Sequence, residues 1–115
     1  MCSNPAHVPL DNHLSNLVRN IDSTCGDMTV YTRYHLFQSS ARTTRSYADE
    51  LEWPKRAVEQ LGLSPASVKA IKDAEMFLFA AAGAMEDRED FISAYSDLKD
   101  AIEKLEFVMT ELHSA

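Results

Sequence analysis

Seven apolar residues near the end of the chain, Phe91, Tyr95, Leu98, Ile102, Leu105, Met109 and Leu112, follow one another at alternating spacings of four and three. Only an α-helix brings residues so spaced onto one side; in a strand they would scatter over both faces. A two-stranded zipper would keep charges along both flanks of that stripe. Here one flank is Ala94, Ala101 and Val108, which widens the apolar face to three positions in seven. That width predicts a helix laid against several others in a bundle. A stripe so broad is also wide enough to be buried across a homo-oligomer.

The rest of the chain carries the same period and no strand pattern. Residues 1–9 (MCSNPAHVP) hold two prolines and no period, and read as an extended arm ahead of a single helical domain, 10–115. Asp11 is an N-cap candidate for a first helix with Leu10, Leu14, Leu17, Val18 and Ile21 on its face. Its expected end is near Ser23, with a turn at Gly26. Asp27 or Thr29 then caps a second helix, with Val30, Tyr34, Phe37, Ala41, Thr44, Ala48 and Leu51 facing inward. Its middle, SSARTTRS, is poor helix-forming sequence, so residues 28–52 read as one long helix or as two.

Pro54 disfavours helical geometry at Trp53 and opens a short helix. Ala57, Val58 and Leu61 are its inner face, and Gly62 fits the left-handed position past its end. Ser64 caps the next helix, with Pro65 in the first turn. MFLFAAAGAM, residues 76–85, is apolar nearly all round, as expected of a helix surrounded by others at the centre of the fold. The fold class is therefore all-α, a compact bundle of four to five helices with a long C-terminal heptad-patterned helix.

With 45% apolar and 25% charged residues, the composition is that of an ordinary globular domain. A chain of 115 residues makes one core and not two. No apolar run nears the roughly 18 residues of a membrane span. The N-terminal stretch carries Asp11 and Asp22 and no apolar h-region, so no signal peptide is expected. Cys2 and Cys25 form neither a CxxC pair nor a metal spacing. Reduced thiols in a cytoplasmic protein are the expectation. His7, His13, His35 and His113 are scattered and no nucleophile stands beside a base, so no cofactor, metal or enzymatic activity is read.

RAVEQLGLSPASVKAIK, Arg56 to Lys72, resembles the helix-turn-helix signature over about 20 residues, with Val58, Gly62, Leu63, Ser64, Val68 and Ile71 in the positions that lock two short helices at a steep angle. The resemblance implies that the second helix enters the major groove, with Ser67, Lys69 and Lys72 facing bases or phosphates. Charge favours a plain structural corner instead. Phosphate contacts supply most non-specific affinity, and the isoelectric point is near 4.9.

Net charge is −7 and unevenly spread. Residues 86–115 hold nine acids against three bases, while residues 28–48 hold three arginines and no acid. Phe107 stands opposite the heptad face among acids, where an exposed ring anchors a partner. Arg33, Arg42 and Arg45 lie among hydroxyl residues, a chemistry suited to phosphate. Glu75 falls within the apolar sector of its helix, where a carboxylate must pair, line a groove or take a raised pKa, with Arg33, Arg42, Arg45 and His35 as candidate partners. The preferred reading is an acidic interaction module, a regulator, inhibitor or adaptor, that docks a basic protein surface through Phe107, Glu103, Asp100 and Glu111. The alternatives are a DNA-binding regulator using Ser67, Lys69 and Lys72, and a binder of a phosphate-bearing ligand using Arg33, Arg42, Arg45 and Glu75.

Overall fold

A computed structural model describes the backbone of residues 7–30, 34–88 and 91–114, and the side chains of 7–26, 39–87 and 92–114. Five α-helices follow in order: α1 Val8–Val30, α2 Tyr34–Asp49, α3 Glu52–Gln60, α4 Pro65–Gly83 and α5 Phe91–Ser114. A π-turn, Ala84–Arg88, continues α4 towards α5. No strand occurs among the described residues, and the body measures 45 × 21 × 18 Å.

The broad apolar face of α5 is buried inside the chain. Ala94, Leu98, Ala101, Leu105, Val108 and Leu112 form its floor, while Tyr95 and Met109 are only half-buried. The centre of the face is thus shifted from the heptad stripe towards its alanine and valine flank. Small residues there let a neighbouring helix approach closely, and α4 answers with buried Ala70, Ala74 and Ala81. The α4–α5 pair is the most extensive in the molecule. Most of that face is therefore filled from within the chain.

α1 overruns its expected end. Gly26 lies inside the helix, and Asp27 and Thr29 continue α1 rather than capping α2. The cause is tertiary. Cys25 and Thr24 are buried, Thr24 Oγ1 lies 2.9 Å from the Tyr47 hydroxyl, and that hydroxyl donates to the Asn20 carbonyl at 3.2 Å. These anchors to α2 outweigh the roughly 1 kcal/mol that a glycine costs in a helix interior. The expected arm is also shorter: Val8 and Pro9 belong to the first turn of α1, where a missing N–H is harmless. Residues 1–6 lie outside the described ones.

α2 runs unbroken through SSARTTRS, with Ala41, Thr44 and Ala48 buried. Thr44 and Ser46 hydroxyls fold back to the Ser40 and Arg42 carbonyls at 2.7 and 3.3 Å, so their polarity is satisfied within the helix. The side chains of Val30, Tyr34 and Phe37 lie outside the described set. Residues 28–52 therefore span the end of α1, all of α2 and the first residue of α3. Trp53, expected outside a helix, is helical: Leu51 is itself in the right-handed region, and its carbonyl takes the Lys55 N–H at 2.9 Å. Pro54 falls in the first turn, where its missing N–H has no intrahelical partner to lose.

The α3–α4 corner follows the sequence closely. Gly62 has φ +71°, the Leu63 N–H reaches the Val58 carbonyl at 3.1 Å, and the Ser64 hydroxyl accepts the Ser67 N–H at 3.2 Å. α4 differs from expectation: α5 covers one flank and α2 and α3 the other, so its remaining side is open. Met76, Phe79 and Ala80 are exposed there.

Candidate interaction surface

The start of α4 lies beside the end of α5, since Glu111 reaches Ser64 and Ser67. Further along, Lys69 and Asp73 of α4 line the same groove as Glu103 and Phe107 of α5. The two helices are therefore antiparallel and in a fixed register. That groove encloses about 270 Å³, with Ala66 and Ala70 as its apolar floor and Lys104 on its α5 wall. Phe107 is 50% exposed on its rim, and Glu103 is exposed one turn before it. Asp100, half-buried, precedes Glu103 on the same side. The surface carries both signs, because Lys69 Nζ sits 2.8 Å from the Asp73 carboxylate.

Glu111, expected on this surface, is used inside the fold. Its carboxylate accepts hydrogen bonds from the Ser67 hydroxyl, the Ser64 hydroxyl at 2.7 Å and the Ser64 N–H at 2.9 Å. The Ser67 bond, followed by those from Ser64, holds its pKa below the ordinary carboxylate value. An anion at that point also complements the positive end of α4. The serine cap was legible in the sequence; its carboxylate partner, 47 positions away, was not.

The three residues of the DNA-reading alternative do not share a face. Ser67 is fully buried, while Lys69 and Lys72 are exposed on the opposite side of α4. The proposed phosphate cluster is also divided. Arg45 pairs with Glu86 of the π-turn, Nε donating to Oε2 at 3.3 Å, and this bond raises the guanidinium pKa. Glu86 is held below the carboxylate range, by Arg45 first and with Arg42 contributing. Glu75 sits at the edge of the buried face of α4 and pairs with Lys55 of α3 at 2.9 Å, not with Arg42 or Arg45. Lys55 also reaches Glu52 at 3.1 Å, and its pKa is raised by the Glu75 bond before the Glu52 one. The side chains of Arg33 and His35 lie outside the described residues.

A second groove, about 630 Å³, separates α1 from α5. Val18, Ile102 and Met109 form its floor, and the Asp22–Lys99 pair at 3.1 Å bridges its wall. It went unread because its floor belongs to the stripe assigned wholly to the core. The histidines are apart: His13 Nε2 meets the Glu50 carbonyl at 2.8 Å and its ring packs on Trp53, while His113 pairs with Asp11. Among the described residues no three His, Cys, Asp or Glu side chains converge as a metal site would require. No described helix is long and apolar enough to cross a membrane. Comparisons with protein-family models, with curated proteins and with solved structures return no match.

Proposed function

We propose that this chain is a non-enzymatic protein-interaction module of the cytoplasm, a regulator, inhibitor or adaptor, whose docking surface is the outer side of the α4–α5 pair. The observation that carries the reading is Phe107, a half-exposed ring on the rim of a groove floored by Ala66 and Ala70 and walled by charges of both signs. A ring in that setting offers apolar area at little loss of side-chain freedom, and aromatic anchors carry much of the energy of protein interfaces. Glu103 and Asp100 beside it speed and orient the approach of a basic partner surface. Glu111 drops out of the docking set because its carboxylate is spent on α4. Burial of the Cys25 thiol, which pushes its pKa up to about 11, suits a protein in which this cysteine stays reduced and inert.

Phe107→Ala combined with Glu103→Lys is expected to weaken capture of a protein partner by at least about 2 kcal/mol. Both side chains face solvent, so helicity and melting temperature should stay near those of the parent. Undiminished capture by the double variant would remove this surface from consideration. Duplex DNA is the competing occupant: anisotropy showing parent binding that falls steeply with salt, and is lost in Lys69→Glu, would replace this reading with the DNA-binding one.

A further inference from the structure

We infer that the groove between α1 and α5 is a second docking site, which takes an amphipathic helix of a partner protein with lysine or arginine along the flank facing α5. It stands independently of the α4–α5 surface, with which it shares only Glu103. Its floor is the part of the heptad stripe that the fold leaves uncovered. Tyr95, Ile102 and Met109 stand seven residues apart and so form one row along α5. Leu98 and Leu105 alternate with them and are fully buried, whereas Tyr95 and Met109 are half-buried. Val18 of α1, also half-buried, completes the floor beside Ile102 and Met109.

The shape of the groove calls for a helix. Lys99 meets Asp22 at 3.1 Å and His113 meets Asp11 at 2.9 Å, so α1 and α5 run antiparallel, side by side, between those two bridges. Lys99 Nζ also lies 5.5 Å from the centre of the Tyr95 ring, which closes the groove at that end. The α5 lining from Lys99 to Met109 is about 15 Å long at the helical rise, room for about three turns. An apolar row of seven-residue period, set in a trough between two helices, is what a third helix packs into, knob by knob.

Charge assigns the flanks. Asp22 and Lys99 satisfy each other. Arg19 on the α1 rim and Glu103 and Glu106 on the α5 rim are exposed, and none of the three forms an ion pair among the described residues. Measured from the two bridges, Arg19 stands level with Glu103, and Glu106 lies one turn further along, beside Ser15. Two carboxylates at that helical spacing repel each other, and a cation set against each relieves the repulsion. The occupant therefore carries basic residues one turn apart towards α5 and a carboxylate towards Arg19, as flanking charges select partners in coiled coils. The nine acids against three bases of residues 86–115 steer the same class of partner.

The test is fluorescence anisotropy of the full chain with two labelled peptides of about five helical turns, long enough to be helical alone. Both carry leucines at alternating spacings of four and three; the basic probe has lysine on both flanks and the acidic probe glutamate. Melting curves and sedimentation accompany every variant. The parent is expected to bind the basic probe about tenfold more tightly than the acidic one. Glu106→Lys should weaken the basic probe by about threefold or more, while Glu59→Lys, the same charge change on exposed α3, leaves it unchanged. Met109→Ser, which changes no charge, should weaken both probes by about tenfold; if that variant melts early, Val18→Ser carries the comparison. A parent that binds neither probe, or a basic probe held by Met109→Ser as tightly as by the parent, overturns the site. Equal weakening by Glu59→Lys and Glu106→Lys also overturns it, because general attraction to an acidic protein would then suffice. A probe lost in Phe107→Ala but kept in Met109→Ser sits on the α4–α5 surface, and the groove falls while that surface stands. A parent dimer that Met109→Ser returns to monomer would give the groove to a second copy and overturn the basic helix as its occupant.

Discussion

Three hydrogen bonds converge on the Glu111 carboxylate, two of them from Ser64 and one from Ser67. They join the last turns of α5 to the first turn of α4 and so pin one end of the packed α4–α5 seam. Those bonds favour the charged form, which places the folded pKa of Glu111 below its ordinary 4.5. As pH falls past that value the unfolded chain takes up the proton first, and the native state loses ground until its own carboxyl is protonated. The stabilisation is therefore whole above about 4.5 and drains away below it. Glu111→Gln leaves an amide N–H2 facing donors and should lower stability near neutral pH by about 1–2 kcal/mol. Urea unfolding of parent and variant across a pH series checks this, with the gap expected to close as pH drops. Parallel curves would show that the carboxylate does not hold the α4 terminus.

Helix ends divide into those written locally and those written by distant contacts. Gly62, Ser64 and Pro65 specify the α3–α4 corner in consecutive residues, and the backbone follows them, with φ +71° at Gly62 and a closed serine cap. Gly26 offers the same local excuse for a turn, but α1 passes through it, because Thr24 and Cys25 just before it are buried and Thr24 is hydrogen-bonded to Tyr47 of α2. Nothing within a few residues of Gly26 encodes that tie. The two glycines thus respond oppositely to a methyl group, though a Cβ meets no atom within 4 Å at either site. Gly26→Ala should stabilise by about 0.5–1 kcal/mol through better helix propensity. Gly62→Ala should destabilise by about 1 kcal/mol or more, since it forces a side chain into the left-handed region. Denaturant midpoints that move the same way for both would contradict the continuous α1.

The period of the apolar residues was enough to read an all-α bundle and most of its core, from Leu10, Leu14 and Leu17 to Leu98, Leu105 and Leu112. What periodicity does not carry is which helix lies on which flank. That is why the apolar circumference of α4 suggests an enclosed helix although Met76 and Phe79 face out, and why the sequence offers Arg33, Arg42, Arg45 and His35 to Glu75 without pointing to Lys55, which takes it. The arrangement makes a definite claim about cooperativity. α1 packs chiefly on α5, α5 on α4, and α4 on α2 and α3, so loss of the α4–α5 seam should undo every helix together. Leu105 is fully buried, and Leu105→Ala should cost about 2–5 kcal/mol, a large share of the 5–15 kcal/mol typical of a domain. Trp53, the single tryptophan, packs its ring 5.6 Å from that of His13 and reports the α1–α3 contact on the far side of the molecule. Its fluorescence and the far-ultraviolet dichroism should shift to lower denaturant by the same amount in Leu105→Ala. A tryptophan transition left at the parent's midpoint while dichroism falls would mean that α1–α3 holds together without α4 and α5, and that the bundle is two cooperative units rather than one.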